Sequence, residues 1–408
     1  MIEITAKLIR ADSAIYAAGE KVECLIEFTN RNEENANQTF NDHSENLAWA
    51  SVQIHCYRKT TFCANSVSDL TEMIGKTALD AVTQTPGEII VATKPKILFC
   101  DLKLRPAETK IYFFNDFVPR EGPPTYRGHD IKYFYKITIA TQRVKSKVQT
   151  LTVPIRVLPI PVIPRPEELG TETNEELTPT NPFLEKREIT ELEVSWHHLK
   201  NVTARRSPKF FRITNKRGYV GRFCLFKTAY KLGEDIVGSL DFANFEVRCV
   251  QFSVKLQSEE ILLRKTIPTK DESDTASVNS LSDHSNSIAS VEGLKSTIND
   301  EVSGKFTTYA TSHQVCYSML QTQIIIPIPL HAAPSFRTDL VDVRWRLHFE
   351  FVSSTMMDIG KPNVENGELT APQEIPVETM IWNLPVTIYS ANPLQIYSPS
   401  PAYNLLIR

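Results

Sequence analysis

Along Val343-Arg344-Trp345-Arg346-Leu347-His348-Phe349-Glu350-Phe351 every second residue is apolar, with charge or histidine between. A period of two is that of a β-strand with one face in a core and the other in water. The same alternation runs through Tyr133, Tyr135, Ile137 and Ile139, and through Val250, Phe252, Val254 and Leu256. These segments predict half-buried antiparallel strands and put Tyr133, Tyr135, Val343, Trp345 and Leu347 in the core. One segment has the other period. Ile189, Leu192, Trp196, Leu199 and Val202 follow three-and-four spacing and stop before Ser207-Pro208, which predicts one amphipathic helix over about residues 187–205.

The two halves of the chain repeat one another. Tyr16-x-x-Gly19-Glu20-x-Val22 followed by Phe28 corresponds to Tyr230-x-x-Gly233-Glu234-x-Ile236 followed by Phe242, at identical spacing. Pro124-Thr125-Tyr126-Arg127 leading to Tyr135-Lys136-Ile137 corresponds to Pro334-Ser335-Phe336-Arg337 leading to Trp345-Arg346-Leu347. Each half ends in a strand with one proline, Pro154 or Pro385, where a ladder donor is missing, so each proline belongs at an edge or a bulge. The Tyr-x-x-Gly-Glu unit reads as a tight turn into a strand, a structural and not a catalytic element. The expected architecture is all-β, with two tandem immunoglobulin-like sandwiches of about seven strands each facing one another. The first sandwich spans 1–158, a linker with the helix 159–208, the second sandwich 209–390, and a tail 391–408.

Two stretches stand apart from the alternation. Residues 267–304 form a Ser-rich insertion in the second sandwich; from Asp271 to Gly304 it holds nine serines and no aromatic residue, too little apolar surface to offset the entropy of ordering, so disorder is expected. A smaller insertion, 31–45, is rich in Asn and Glu.

A length of 408 residues agrees with two cores, and 41% hydrophobic content is enough to fold them. A net charge of -3 creates no overall field for nucleic acid or an anionic membrane, so any such contact has to be local. Seven dispersed cysteines without a C-x-x-C pair suit a reducing compartment. The first ten residues lack a signal-peptide core, and the most apolar stretch, Ile324–Ala333, is half of what a spanning helix needs and carries two prolines. A soluble chain is expected, with membrane contact peripheral at most.

Motifs for catalysis or ligand binding are incomplete or missing. Gly75-Lys76-Thr77 imitates the end of a phosphate loop, but Leu70 stands where that loop needs its first glycine. His197-His198 point about 100° apart on a helix and do not readily share one metal ion. There is no Gly-x-Ser-x-Gly elbow. The expectation is no catalytic residue, no metal and no cofactor. Arg205, Arg206, Lys209, Lys216 and Arg217, beside Phe210 and Phe211, form a basic stretch that could meet lipid phosphate or an acidic partner, or be a solvated linker end. Asn181-Pro182-Phe183 matches the tripeptide that endocytic EH domains bind, and three residues also recur by chance.

The order of these elements resembles the arrestin superfamily, over nearly the whole chain except the linker, the Ser-rich insertion and the tail. The strings Leu47-Ala48-Trp49-Ala50-Ser51-Val52-Gln53-Ile54-His55-Cys56, Lys94-Pro95-Lys96-Ile97-Leu98-Phe99-Cys100-Asp101-Leu102 and Glu121-Gly122-Pro123-Pro124-Thr125-Tyr126-Arg127-Gly128 are similar to one family in particular. So are Tyr230-Lys231-Leu232-Gly233-Glu234-Asp235 and Arg344–Val352. This is the reduced-growth-phenotype, or retrograde Golgi transport, protein family. The resemblance implies a non-catalytic subunit in a heterodimer with a large β-propeller-bearing partner, which together promote GDP release from the Golgi Rab GTPase numbered six. It further implies a location in the cytosol and on the cytoplasmic face of the Golgi. The alternative is a free-standing arrestin-like cargo or receptor-tail adaptor. Neither reading assigns partner-binding residues.

Overall fold

The computed structural model describes residues 1–10, 12–31, 44–61, 87–161, 190–263, 304–317, 319–354, 356 and 374–407. The Ser-rich stretch up to residue 303, Asn181-Pro182-Phe183, Gly75-Lys76-Thr77 and Cys63 lie outside the described residues.

The fold is all-β, two sandwiches of two sheets each. In the first, one sheet is ordered β21 (Tyr403–Ile407), β1 (Ile2–Leu8), β3 (Lys21–Asn30), β7 (Thr109–Phe117). The facing sheet is ordered β2 (Ile15–Ala17), β10 (Gln149–Leu158), β9 (Ile131–Gln142), β4 (Glu45–Thr60), β5 (Glu88–Ala92), with β6 (Lys96–Leu104) also on β4 and β8 (Tyr126–Arg127) on β9. The second sandwich repeats the plan. One sheet runs β11 (Lys209–Asn215), β12 (Gly218–Leu225), β14 (Asp235–Asp241), β17 (Gln321–Pro327). The other runs β13 (Ala229–Lys231), β20 (Val377–Tyr389), β19 (Val341–Ser354), β15 (Arg248–Leu262), β16 (Lys305–Val315), with β18 (Phe336–Arg337) on β19.

The alternation decides which face is core. In β3, Val22, Cys24, Ile26 and Phe28 are buried while Lys21, Glu23 and Glu27 face outward, and in β19 Trp345, Leu347, Phe349 and Phe351 are buried. The paired turns have one geometry in both halves. Gly19 and Gly233 take φ +81° and +84°, a left-handed conformation that side chains disfavour. The following glutamate closes each turn: Glu20 Oε2 accepts from Ala17 N at 2.7 Å and Glu234 Oε2 from Lys231 N at 3.0 Å. A cation joins each glutamate and lies over the buried tyrosine, Arg10 over Tyr16 and Lys227 over Tyr230. Pro154 and Pro385 each fall two residues before the short parallel strand on their open side begins, at Arg156 and Thr387.

One expectation needs correction. Among the described residues the first sandwich holds eleven strands and the second ten, where about seven each were expected; four of them, β2, β8, β13 and β18, are only two or three residues long and show no period. The segment that follows residue 390, expected as a tail, carries a strand. Tyr403, Leu405 and Ile407 face the first core, and β21 pairs antiparallel with β1 from Ile2↔Ile407 to Ala6↔Tyr403, so the end of the chain completes the sheet in which it begins.

The helix, α1 (Glu191–Ala204), opens with a capping box in which the Thr190 hydroxyl accepts from Glu193 N and the Glu193 carboxylate accepts from Thr190 N. It buries Leu199 and Thr203, and the Lys227 ammonium donates to Thr203 O at 3.0 Å. Ile189 lies outside the described residues.

Candidate functional site

The repeated Pro-x-aromatic-Arg corners, β8 and β18, meet where the sandwiches touch. The Tyr126 and Phe336 rings are edge-to-face with centroids 5.1 Å apart. Ile131 and Tyr133 from β9 join Val341 and Val343 from β19 in a small apolar core that belongs to neither sandwich alone. Tyr133 and Val343, read from the alternation as sandwich core, therefore serve the seam.

Polar contacts surround that seam. Glu260, 4% exposed, sends its carboxylate from β15 into the first sandwich, accepting from His129 N at 2.6 Å and Asp130 N at 3.1 Å. Lys305 pairs with Asp130 at 2.7 Å, which holds the Asp130 carboxyl below its ordinary pKa, and the Thr61 hydroxyl adds to that effect. Burial, with the Glu260 carboxylate alongside, pushes the Tyr126 phenol upward.

Beside the seam lies a cleft of about 870 Å³ with walls from both sandwiches and from the segment before β21. Arg127, Lys132, Lys136 and Arg156 line it together with Tyr126, Tyr133, Tyr135, Tyr309 and Tyr403, and no Asp or Glu is among its lining residues. Burial pulls the Lys136 and Arg156 pKa values down, as expected for cations removed from water. Sequence reasoning passed over this cleft and over Glu260.

A second surface lies at the far edge of the first sandwich. Among the described residues strand β7 pairs only with β3, and it presents Ile111, Phe113 and Phe117 at 51–62% exposure. Asn30 N donates to Glu108 O and Val118 N to Glu20 O, so the even-numbered residues face β3 and the backbone groups of Ile111 and Phe113 point to the open side. Its counterpart β17 presents Gln321, Gln323, Ile325 and Pro327 outward, an edge blunted by amides and a proline.

The basic stretch singled out in the sequence does not form one patch. Lys209 and Lys216 lie at opposite ends of β11, about 20 Å apart at strand rise, and Arg217 pairs with Glu378 at 3.6 Å. His197 and His198 are exposed on α1, and His197 Nδ1 lies 3.2 Å from the Asn201 side chain. Among the described residues no group of three His, Cys, Asp or Glu could hold a metal, and no helix is long and apolar enough to cross a membrane.

The chain matches the family model Rgp1 over residues 12–163 and 164–354. It is 35% identical over 408 residues to RAB6A-GEF complex partner protein 2 of Homo sapiens, covering 96% of each chain. It is also 35% identical over 401 residues to the protein of that name from Bos taurus, covering 95% of this chain and 93% of the relative.

Proposed function

This chain belongs to the Rgp1 family, and we propose that it acts as the non-catalytic partner subunit of a heterodimeric guanine-nucleotide exchange factor for a RAB6A-type GTPase. The observation that carries this reading is the relation, over 95–96% of the chain, to proteins named as partners in a RAB6A exchange complex. The other member of the heterodimer is a larger subunit bearing β-propellers, and the complex works peripherally on the cytoplasmic face of the Golgi in retrograde transport. Exchange is a binding function: a partner that holds the nucleotide-free GTPase more tightly than the GDP form shifts the population toward release. No nucleophile or general base is required of this chain.

The β7 edge supports a subunit over a free-standing adaptor. An exposed, apolar, unpaired edge is a hazard in a protein that lives alone. Covered by an extended segment of the larger subunit, the same edge contributes main-chain hydrogen bonds and apolar contacts. The test is co-purification with the larger subunit of a variant carrying Ile111→Lys and Phe113→Glu. Both side chains face solvent, so the variant should fold with an unchanged thermal midpoint and fail to co-purify. Full co-purification would remove the β7 edge from the interface, and a parent chain that does not co-purify would favour the adaptor.

A further inference from the structure

We propose that the cleft between the sandwiches is a binding site for a small polyphosphorylated ligand of the inositol polyphosphate class, either free or as the headgroup of a membrane lipid. The proposal is independent of the exchange role. It rests on four cations that the fold gathers and does not neutralise.

Arg156 is half-buried, and its Nη2 donates to the carbonyls of Leu330, His331 and Ala332 at 2.9–3.3 Å. Those carbonyls fix the guanidinium against the second sandwich while leaving its charge uncompensated. Lys136, opposite Pro154 on the neighbouring strand, lies 5.6 and 5.5 Å from the Tyr57 and Phe134 ring centroids, again with no carboxylate. Arg127 and Lys132 are register partners across β8 and β9, a like-charge pair directly opposed, which is destabilising unless an anion sits between them. Among the described residues none of the four cations is held in an ion pair. Ser400 Oγ, on the same wall, is buried without a hydrogen-bond partner.

The internal repeat supplies the control. At the register position of Arg127↔Lys132 the second sandwich has Arg337↔Asp342, a pair of opposite sign, and Asp342 also pairs with Arg344 at 2.7 Å. The counterpart of Arg156 is Thr387, and that of Lys136 is Arg346, which bonds Gln257 and lies over the Phe306 ring. The same scaffold thus neutralises the Arg127↔Lys132 position and carries no cation at the Arg156 position in the second half, whereas the Lys136 position is cationic in both. A volume of about 870 Å³ suits a ligand of this size, and tyrosines with four cations, of which Arg156 is held in place by backbone carbonyls, provide the charge-assisted donors that phosphate oxygens take.

The full chain is titrated with inositol hexakisphosphate by calorimetry and floated with phosphatidylcholine vesicles with and without phosphatidylinositol phosphates. Expected is saturable binding that weakens with salt, a ligand-induced rise in thermal midpoint, and a loss on the order of tenfold in affinity for Arg127→Ala or Lys132→Asp. Lys132→Asp reproduces the pairing of the second sandwich, so its ligand-free midpoint should equal or exceed the parent's, which separates lost binding from lost folding. Lys209→Ala, remote from the cleft, should bind like the parent. Binding of the soluble compound alone identifies a free ligand, and flotation that the soluble compound competes away identifies a lipid headgroup. Absence of binding in both arms, or binding that Arg127→Ala and Lys132→Asp leave unchanged, would overturn the proposal.

Discussion

Replacing Glu260 by alanine removes a carboxylate that reaches from the second sandwich into the corner of the first. Glu260 is 4% exposed and accepts from two backbone N–H groups, His129 at 2.6 Å and Asp130 at 3.1 Å. Each hydrogen bond to a charged acceptor contributes about 1.5–3 kcal/mol, and Glu260→Ala also leaves two donors to find water. A loss of about 3–4 kcal/mol of docking between the sandwiches follows, with Glu260→Gln losing about half because one acceptor oxygen remains. Gly128→Ala disturbs the same corner by another route, since its new methyl would crowd both the Tyr126 ring and the Glu260 carboxylate, the latter at 2.6 Å from Oε2. The assay is hydrogen exchange of the His129 and Asp130 amides together with denaturant unfolding. Faster exchange at the corner and a lower midpoint are expected for Glu260→Ala and Gly128→Ala, with the strand amides of β3 unchanged. Parental exchange at His129 and Asp130 in Glu260→Ala would refute the account of the seam.

Three further outcomes follow. Trp345, 2% exposed, donates its Nε1–H to Ala333 O at 3.1 Å and packs 4.7 Å from the Tyr309 ring, so Trp345→Ala should lose about 3–5 kcal/mol in denaturant unfolding. An inactive variant of parental stability would contradict the core assignment. Burial lowers the His55 pKa from its ordinary 6.5 to about 4, so the unfolded chain binds the proton first. Its contribution is complete above about pH 6.5 and is lost as pH falls toward 4, amounting to about 3 kcal/mol, and His55→Phe should flatten that part of a stability profile. Glu350 is held near pKa 2, chiefly by Lys255, with His348 and Ser253 adding to it; Lys255→Met should raise the pH at which this carboxylate protonates, read by NMR titration.

Much of the fold was legible because strands with one wet face write their period into the chain. The Tyr-x-x-Gly-Glu units read as turns, and both glycines carry the positive φ that such turns demand. The capping box Thr190-x-x-Glu193 stood in the sequence beside the helical period. Strand β21 escaped because five residues carry too short a pattern and their partner, β1, lies at the other end of the chain. The β7 edge escaped because Ile111-Tyr112-Phe113-Phe114 is a continuous apolar run, which reads as a strand buried on both faces. Glu260 left a signal: it has the parity of Val254 and Leu256, so a carboxylate stands where β15 turns toward the interior. The opposition of Arg127 and Lys132 depends on register, which no period reveals, although the repeat had already aligned Lys132 with Asp342.

The subunit reading is tested most directly by release of fluorescent GDP from a purified RAB6A-type GTPase, with this chain alone, the larger subunit alone, and both together. The account predicts acceleration in the mixture and none with this chain alone. Equal release by the larger subunit with and without this chain, under conditions where the chain is folded, would contradict it.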